Sequence, residues 1–478
     1  MSKPRMKIIL QLSAWATAAL LLAGCASVNF DQALGEANQT TQTFTQGKLE
    51  LSRTDGQRQS RLQLTERLLA EPVSMDDAVQ LALANSPAVQ TLLAQSWGDL
   101  AAAYQTGRIA NPVFTFERMR FKDELELGRL LSIGLLDILT LPYRGALSRN
   151  QVAQAKVQLS ASIVDQVGQV RQAWVRAVAS RQILEYADQV NRTAQASAEL
   201  AKRMQQVGNF TKLQRARQQV FYADAAAQSA SAQHGATAAR EELVRQLGLS
   251  DAQAAQLRLP DRLPDLPKAP RAPAEMSATA SQQRLDVQLA RLQLDVAGKA
   301  QGLNLLNSMV DVEVGGRHDT VFDNGTGERA NRKGYELGIR LPIFDWGDAQ
   351  RAAMNAQSLA AANRYDSVVR SATSHLRESY SAYRTSYDLA KHYRDEIVPL
   401  RKTMAEENVL RYNGMLIGVF ELLADTREQI SSVIAAINAQ HQFWMADAGL
   451  SSAIIGKPMS MGATPMSTST SSNVQGGH

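Results

Sequence analysis

Residues 335–341 read Tyr-Glu-Leu-Gly-Ile-Arg-Leu, and residues 310–314, shortly before them, read Val-Asp-Val-Glu-Val. In both, apolar and other side chains alternate with a period of two, as in an extended strand with one apolar and one polar face. The first half of the chain carries the same pattern. Phe114 and Phe116 alternate with Thr115 and Glu117, and Leu131, Ile133 and Leu135 with Ser132 and Gly134. Any one of these segments alone would equally suit a half-exposed soluble sheet. Four together, each about ten residues long, suit a barrel wall with lipid on one side and water on the other. Four strands cannot close a barrel, and an open edge in lipid leaves backbone groups unsatisfied. Several copies of the chain would therefore have to share one barrel.

Helical signals surround the strands. From 143 to 259 there is no proline after Pro142, and Ala, Gln, Arg, Glu and Val dominate. This composition predicts a long helix from about 145 to 205, roughly 90 Å at 1.5 Å per residue. Ile163, Val167, Val170, Trp174 and Ala177 step by 4, 3, 4 and 3, and Leu376, Tyr380, Tyr383, Tyr387 and Ala390 do the same. That is coiled-coil spacing. Pro399 predicts a kink in the second helical run. Five prolines between Pro260 and Pro273 read as a linker by composition.

The linker, 260–273, divides a first half, 74–259, from a second, 274–456, and the halves look like repeats. Ser74-Met-Asp-Asp77 signals a helix start before a predicted helix from Ala78 to Arg108, and Ser281 to about Gly302 plays that part later. Each half continues with two strands, a long helix, a glycine-containing break and a last helix. The breaks, around 207–212 and 414–419, lie 207 residues apart, and Gly134 and Gly338 lie 204 apart. The polar stretch 319–333, with Gly325-Thr-Gly327, is expected to be an extracellular hairpin loop.

At the N-terminus, Lys3, Arg5 and Lys7 precede an apolar run from Ile8 to Ala23, which ends in Leu22-Ala23-Gly24-Cys25. This reads as a secretory signal over 1–24, too short to span a membrane. The sole cysteine, Cys25, falls at the cleavage point, as in the lipobox of bacterial lipoproteins, where it would become the lipidated first residue. Ser27 rather than Asp would favour the outer membrane. Several acyl chains anchor a protein firmly. Residues 25–73 form an N-terminal segment, and the Ser/Thr-rich residues 457–478 read as a disordered tail.

Charge and composition exclude several classes. Loss of the leader lowers the net charge from +5 to +2, and the basic residues gather into no patch, so nucleic acid is not an expected partner. One cysteine excludes disulfide scaffolds and Cys-rich zinc sites within a chain. The six histidines are scattered, with no metal-ligand spacing, and Met459, Met461 and Met466 lie in the tail. No nucleophile arrangement or phosphate-binding loop is present in the sequence, so neither catalysis nor a cofactor is expected.

Over 74–456 the layout resembles the TolC family of outer-membrane efflux ducts, in particular the lipoprotein members that serve resistance-nodulation-division pumps. The pieces that carry the resemblance are Val73-Ser-Met-Asp-Asp-Ala-Val-Gln-Leu-Ala-Leu-Ala-Asn-Ser-Pro87, Leu341-Pro-Ile-Phe-Asp-Trp-Gly347, Arg411-Tyr-Asn-Gly414 and Phe420-Glu-Leu-Leu423. The resemblance implies a mainly α fold with a membrane β-barrel part. It implies a homotrimer whose four strands per chain make a 12-stranded barrel, continuous with a 12-helix tube. A periplasmic adaptor and an inner-membrane pump are the implied partners. Glu421 matches an acidic constriction residue of the family, and Asp425 lies about one turn further on; Gln214 takes the matching place in the first half. Gly208, Asn209, Gly414 and Gly418 mark the turns an adaptor would contact. Two alternatives stay open: Glu421 as a solvated helix residue beside Arg427, and the whole chain as a lipid-anchored coiled-coil scaffold with soluble hairpins.

Overall fold

The computed structural model describes residues 29–272, 284–307, 311–340, 343–344 and 346–456. The leader, Cys25, the tail 457–478 and part of the 341–347 motif lie outside the described residues. The elements run, in chain order, α1 (Phe30–Thr45), α2 (Asp55–Leu69), α3 (Met75–Asn85), α4 (Pro87–Thr106), β1 (Val113–Phe121), β2 (Glu124–Gly134), α5 (Leu135–Leu139), α6 (Leu141–Gln206), α7 (Lys212–Leu247) and α8 (Asp251–Gln256). After them come α9 (Leu285–Asn307), β3 (Asp311–Asp323), β4 (Arg329–Arg340), α10 (Asp348–His392), a π-helical turn (Tyr393–Ile397), α11 (Val398–Asn413) and α12 (Val419–Ile455). The chain forms two compact units, each drawing on both halves. One takes in the chain to Gln59, Pro87–Ile163 and Gln288–Val368; the other takes in Ser60–Ser86, Val164–Val287 and Val369 onward.

In the first unit the four strands form one antiparallel sheet in the order β1-β2-β3-β4. The register sorts the side chains cleanly. Phe114 pairs with Leu131, Leu131 with Gly316 and Gly316 with Tyr335, so all four lie on one face together with Ile133, Val314 and Leu337. Tyr335 is 91% exposed, and Phe114, Phe116, Leu131, Leu337 and Ile339 are exposed as well. The opposite face is charged. There Arg317 bonds Asp319 at 2.9 Å and Glu117 at 3.0 Å, with Glu336 at 3.9 Å.

Two sequence expectations shift here. The polar stretch 319–333 is not a long loop, because both strands run on to pair Asp319 with Arg332, Thr320 with Asn331 and Val321 with Ala330. Backbone pairing outweighs the polar composition, and Asp323 closes the short turn by accepting from the Gly325 N–H at 2.8 Å. Leu135 leaves the strand and starts α5. The Asp137 carboxylate lies against Gly134, where a side chain would meet it at 2.8 Å, and it is held by Arg144 at 2.8 Å.

The predicted long helix is α6, 66 residues or roughly 100 Å, which begins in the first unit and continues in the second. Its Ile163, Val167, Val170, Trp174 and Ala177 are buried, as the spacing requires. Trp174 Nε1 donates to the Val73 carbonyl at 2.9 Å, so the residue before the α3 cap is fixed against the α6 core. The capping box of Ser74 with Asp77 forms as expected. The helix predicted from Ala78 to Arg108 is two helices, because Pro87 disfavours helical backbone at Ser86 (φ −66°, ψ 122°). The π-helical turn immediately before Val398-Pro399 is the expected disturbance at Pro399.

A second core joins Leu376, Tyr383, Tyr387 and Ala390 of α10 to Ala439, Phe443, Ala446 and Leu450 of α12. The proline-rich stretch is inlaid on this core rather than loose. Leu263 and Leu266 are buried. The Pro264 carbonyl accepts from Trp444 Nε1 at 2.9 Å and from Gln440 at 2.8 Å, and the Pro267 carbonyl from the Tyr387 hydroxyl at 3.1 Å. Prolines offer no N–H, so the strap needs acceptors satisfied and few donors.

Candidate functional site

Two helix hairpins in the second unit carry the predicted gate residues. The first turn links α6 to α7. Gly208 takes the left-handed conformation (φ +81°), and the Asn209 and Phe210 N–H groups donate to the Met204 carbonyl at 2.8 and 3.2 Å. Thr211 then caps α7 in a reciprocal box: its hydroxyl accepts from the Gln214 N–H at 3.2 Å, and the Gln214 side chain accepts from the Thr211 N–H at 2.7 Å. Gln214, at the place of the missing acid, thus has a structural task.

The second turn links α11 to α12 with the same backbone plan and different chemistry. The offset of 207 places Met415 at the position of Gly208, Gly418 at that of Thr211 and Glu421 at that of Gln214. Met415 occupies the left-handed region at φ +59°, whereas Gly414 does not (φ −80°). Gly418 caps α12 without a side chain, so no box forms and Glu421 is free of that role. Glu421 is exposed in the first turn of α12, where a carboxylate favours the helix dipole. Asp425 follows at i+4, about 6 Å along the same helix face, half-buried. Among the described residues neither acid forms an ion pair.

Arg427 does not pair with Glu421. Its guanidinium lies 4.0 Å from the Phe221 ring centre of α7 and donates to Gln218 at 3.3 Å. Burial lowers its pKa, opposed by Asp224. The Nε of Arg427 is buried with no hydrogen-bond partner among the described residues. Arg401 of α11 bonds Glu428 of α12 at 2.8 Å, which joins the two arms of this hairpin. The α7 and α12 arms meet where Phe221, Tyr222 and Ile430 pack against Val190, Ala194 and Ala225.

The structure therefore groups Gly208 and Asn209 in one turn, Gly414 and Gly418 in the other, and Glu421 with Asp425 on one helix. Sequence reasoning missed Met415, which is 93% exposed, and its neighbour Leu416, also exposed. Val207 and Leu213 flank the first turn in the same way. Apolar residues within a break otherwise marked by Asn and Gly were the available signal. No group of metal-ligating side chains gathers among the described residues, and no helix there is long and apolar enough to cross a membrane.

Comparison with known proteins adds the following. Residues 276–405 match the family model described as outer membrane efflux protein. No curated protein matches the chain in sequence. Among solved structures, the fold is similar to the Campylobacter jejuni CmeC outer membrane channel, with a TM-score of 0.68 at 14% identity over 80% of this chain and 86% of that one. The outer membrane protein VceC of Vibrio cholerae gives 0.66 at 15% identity, over 80% and 97%. The open state of the Neisseria gonorrhoeae MtrE outer membrane channel gives 0.64 at 18% identity, over 80% and 89%.

Proposed function

We infer that this chain, whose residues 276–405 belong to the outer membrane efflux protein family and whose fold is that of the TolC-like outer-membrane channels, is one subunit of a passive, gated efflux duct. The single observation that carries the reading is the sheet: four strands, an apolar exposed face, an ion-paired opposite face, and two unpaired edges at β1 and β4. Edges in lipid must be paired. Three copies placed edge to edge would close twelve strands, with the apolar face in lipid and Glu117, Arg317, Asp319 and Glu336 towards a wet lumen. The chain reads as two efflux repeats, 74–259 and 274–456, joined by the proline strap 260–273.

In this duct the two turns form the periplasmic end. Repeated threefold, Glu421 and Asp425 make two acidic rings about 6 Å apart, less than the Debye length of about 8 Å, so a permeating ion meets them as one site. The half that carries Gln214 adds no charge to it. Opening requires the turns to separate, biased by a periplasmic adaptor that contacts Gly208, Asn209, Gly414 and Gly418. An inner-membrane resistance-nodulation-division pump supplies the energy, and acyl chains on Cys25 anchor each subunit to the outer membrane. The cargo is small molecules or metal ions.

The test is to extract the full-length protein from outer membranes in mild detergent, weigh it by light scattering, and record conductance in planar bilayers. Three chains and a cation-preferring pore are expected, and Glu421→Gln with Asp425→Asn should lower that preference. A monomer that washes off once the lipid anchor is removed would refute the duct and favour a periplasmic scaffold.

A further inference from the structure

On the apolar face of the sheet, the rows nearest the hairpin turns are not apolar. The pairing places Phe116, Arg129, His318 and Lys333 in one row, Arg118, Leu127, Thr320 and Asn331 in the next, and Arg120, Leu125, Phe322 and Arg329 in the third. Alternate rows are about 6.6 Å apart along a strand, so five fixed cations occupy a belt about 13 Å tall. None of the twenty side chains on this face, from Val312 to Arg329, is a carboxylate. The acids of the sheet, Glu117, Glu124, Glu126, Asp319 and Glu336 among them, all fall on the opposite face.

Among the described residues none neutralises the belt. Among the described residues Arg118, Arg120, Arg129 and Lys333 have no ion-pair partner, and Arg329 has only the Phe322 ring, 5.4 Å from its guanidinium carbon. Arg118, Arg120, Arg329 and Lys333 are exposed. Cations facing hydrocarbon are costly at mid-depth and become tolerable only at the interface, where long side chains reach polar headgroups. On the opposite face, by contrast, Arg317 has three carboxylates within 3.9 Å. The five cations therefore look outward for their counterions.

We propose that this belt is a binding site for phosphate-bearing lipid headgroups of the leaflet on the hairpin side. Guanidinium groups match phosphate oxygens in a two-pronged geometry, and Arg118 with Arg129, diagonal neighbours on β1 and β2, can share a headgroup. The inference rests on the lipid-facing assignment made above. It adds a ligand, and it predicts that the duct prefers one leaflet composition.

The test uses the full-length protein in vesicles of phosphatidylcholine with and without phosphatidic acid, a lipid with a terminal phosphate. The fraction of spin-labelled phosphatidic acid held at the protein is compared with that of spin-labelled phosphatidylcholine, and pore conductance is recorded in both vesicle types. Preferential retention of phosphatidic acid is expected. At about fivefold per cation near the membrane surface, Arg118→Gln/Arg129→Gln/Lys333→Gln should lower it roughly a hundredfold, whereas Arg332→Gln, a single charge removed from the opposite face, should leave it unchanged. Equal retention of the two lipids, an equal loss with Arg332→Gln, or full displacement by millimolar inorganic phosphate would overturn the lipid site. Conducting pores without lipid preference would overturn only this inference; absence of pores in either vesicle would overturn the barrel as well.

Discussion

Gly208 and Met415 occupy the same position in two turns of similar backbone plan, and exchanging their chemistry tests whether backbone strain sits at the second turn. Met415 is held at φ +59° with 93% of its surface exposed, so almost no packing offsets its conformation. The left-handed region costs a residue with a side chain about 1–2 kcal/mol. Replacing Met415 by Gly removes that cost and returns about 0.5–1 kcal/mol through the greater freedom of glycine in the unfolded chain. The net expectation for Met415→Gly is a turn more stable by about 0.5–1 kcal/mol. Gly208→Ala should lose a similar amount, because a side chain there meets nothing within 4 Å and the cost is conformational alone. Native-state hydrogen exchange of the amides in each turn reads this directly, as a two- to fivefold rise in protection for Met415→Gly and a comparable fall for Gly208→Ala. Unchanged or lower protection in Met415→Gly, with Gly208→Ala silent, would refute the reasoning. If Met415 is kept for contact with the adaptor, Met415→Gly should also weaken co-purification of that partner, a loss of function from a gain of stability.

Two further expectations concern the second unit. Gly456 ends α12 at φ +99°, and a side chain there would stand 2.7 Å from Arg284 Cβ, Asp286 Oδ1 and the Leu285 nitrogen; Gly456→Ala should cost about 3–5 kcal/mol, seen as a lower urea midpoint or loss of the folded protein from membranes. The pH dependence has two components of opposite sign. Burial holds the Asp447 carboxyl above the ordinary Asp range against Arg271 and Arg171, so the folded chain binds its proton more tightly and stability falls as pH rises through the interval up to that raised value. Burial, with Arg176 nearby, holds His441 below the ordinary His range, so stability falls as pH drops from that range towards the lowered value. Asp447→Asn should flatten the first slope and His441→Gln the second in urea titrations taken across pH; slopes unchanged by either variant would refute the assignments.

Much of the fold was legible because two periods are written directly into the chain. A step of two with Phe, Leu and Val predicts strands whatever the partner strand is, and steps of three and four from Ile163 to Ala177 predict a buried helix seam. The predicted turns at 207–212 and 414–419 were legible too, since Gly and Asn interrupt long runs of helix formers. That the proline-rich linker is held against the core was not legible from composition, and only the carbonyl partners of Trp444 and Tyr387 show it. The break at Ser86 was overlooked although Pro87 announced it. At the candidate gate, the difference between Gln214 and Glu421 was visible as a change of letters, but its cause was not. That cause is the loss of a capping partner when Thr211 becomes Gly418.

Taken alone, the sequence determined the elements, their approximate ends and the repeat, because these follow from local periodicity, capping and backbone restriction. Tertiary structure decided which strands are neighbours, and with them the division of the sheet into an acidic face and a basic one. Arg118, Arg129 and Lys333 lie as far as 215 residues apart in sequence, and only the pairing of β1 to β2, β2 to β3 and β3 to β4 brings them to one face. Register is a long-range property: a slip of one residue would turn every one of those cations to the other side.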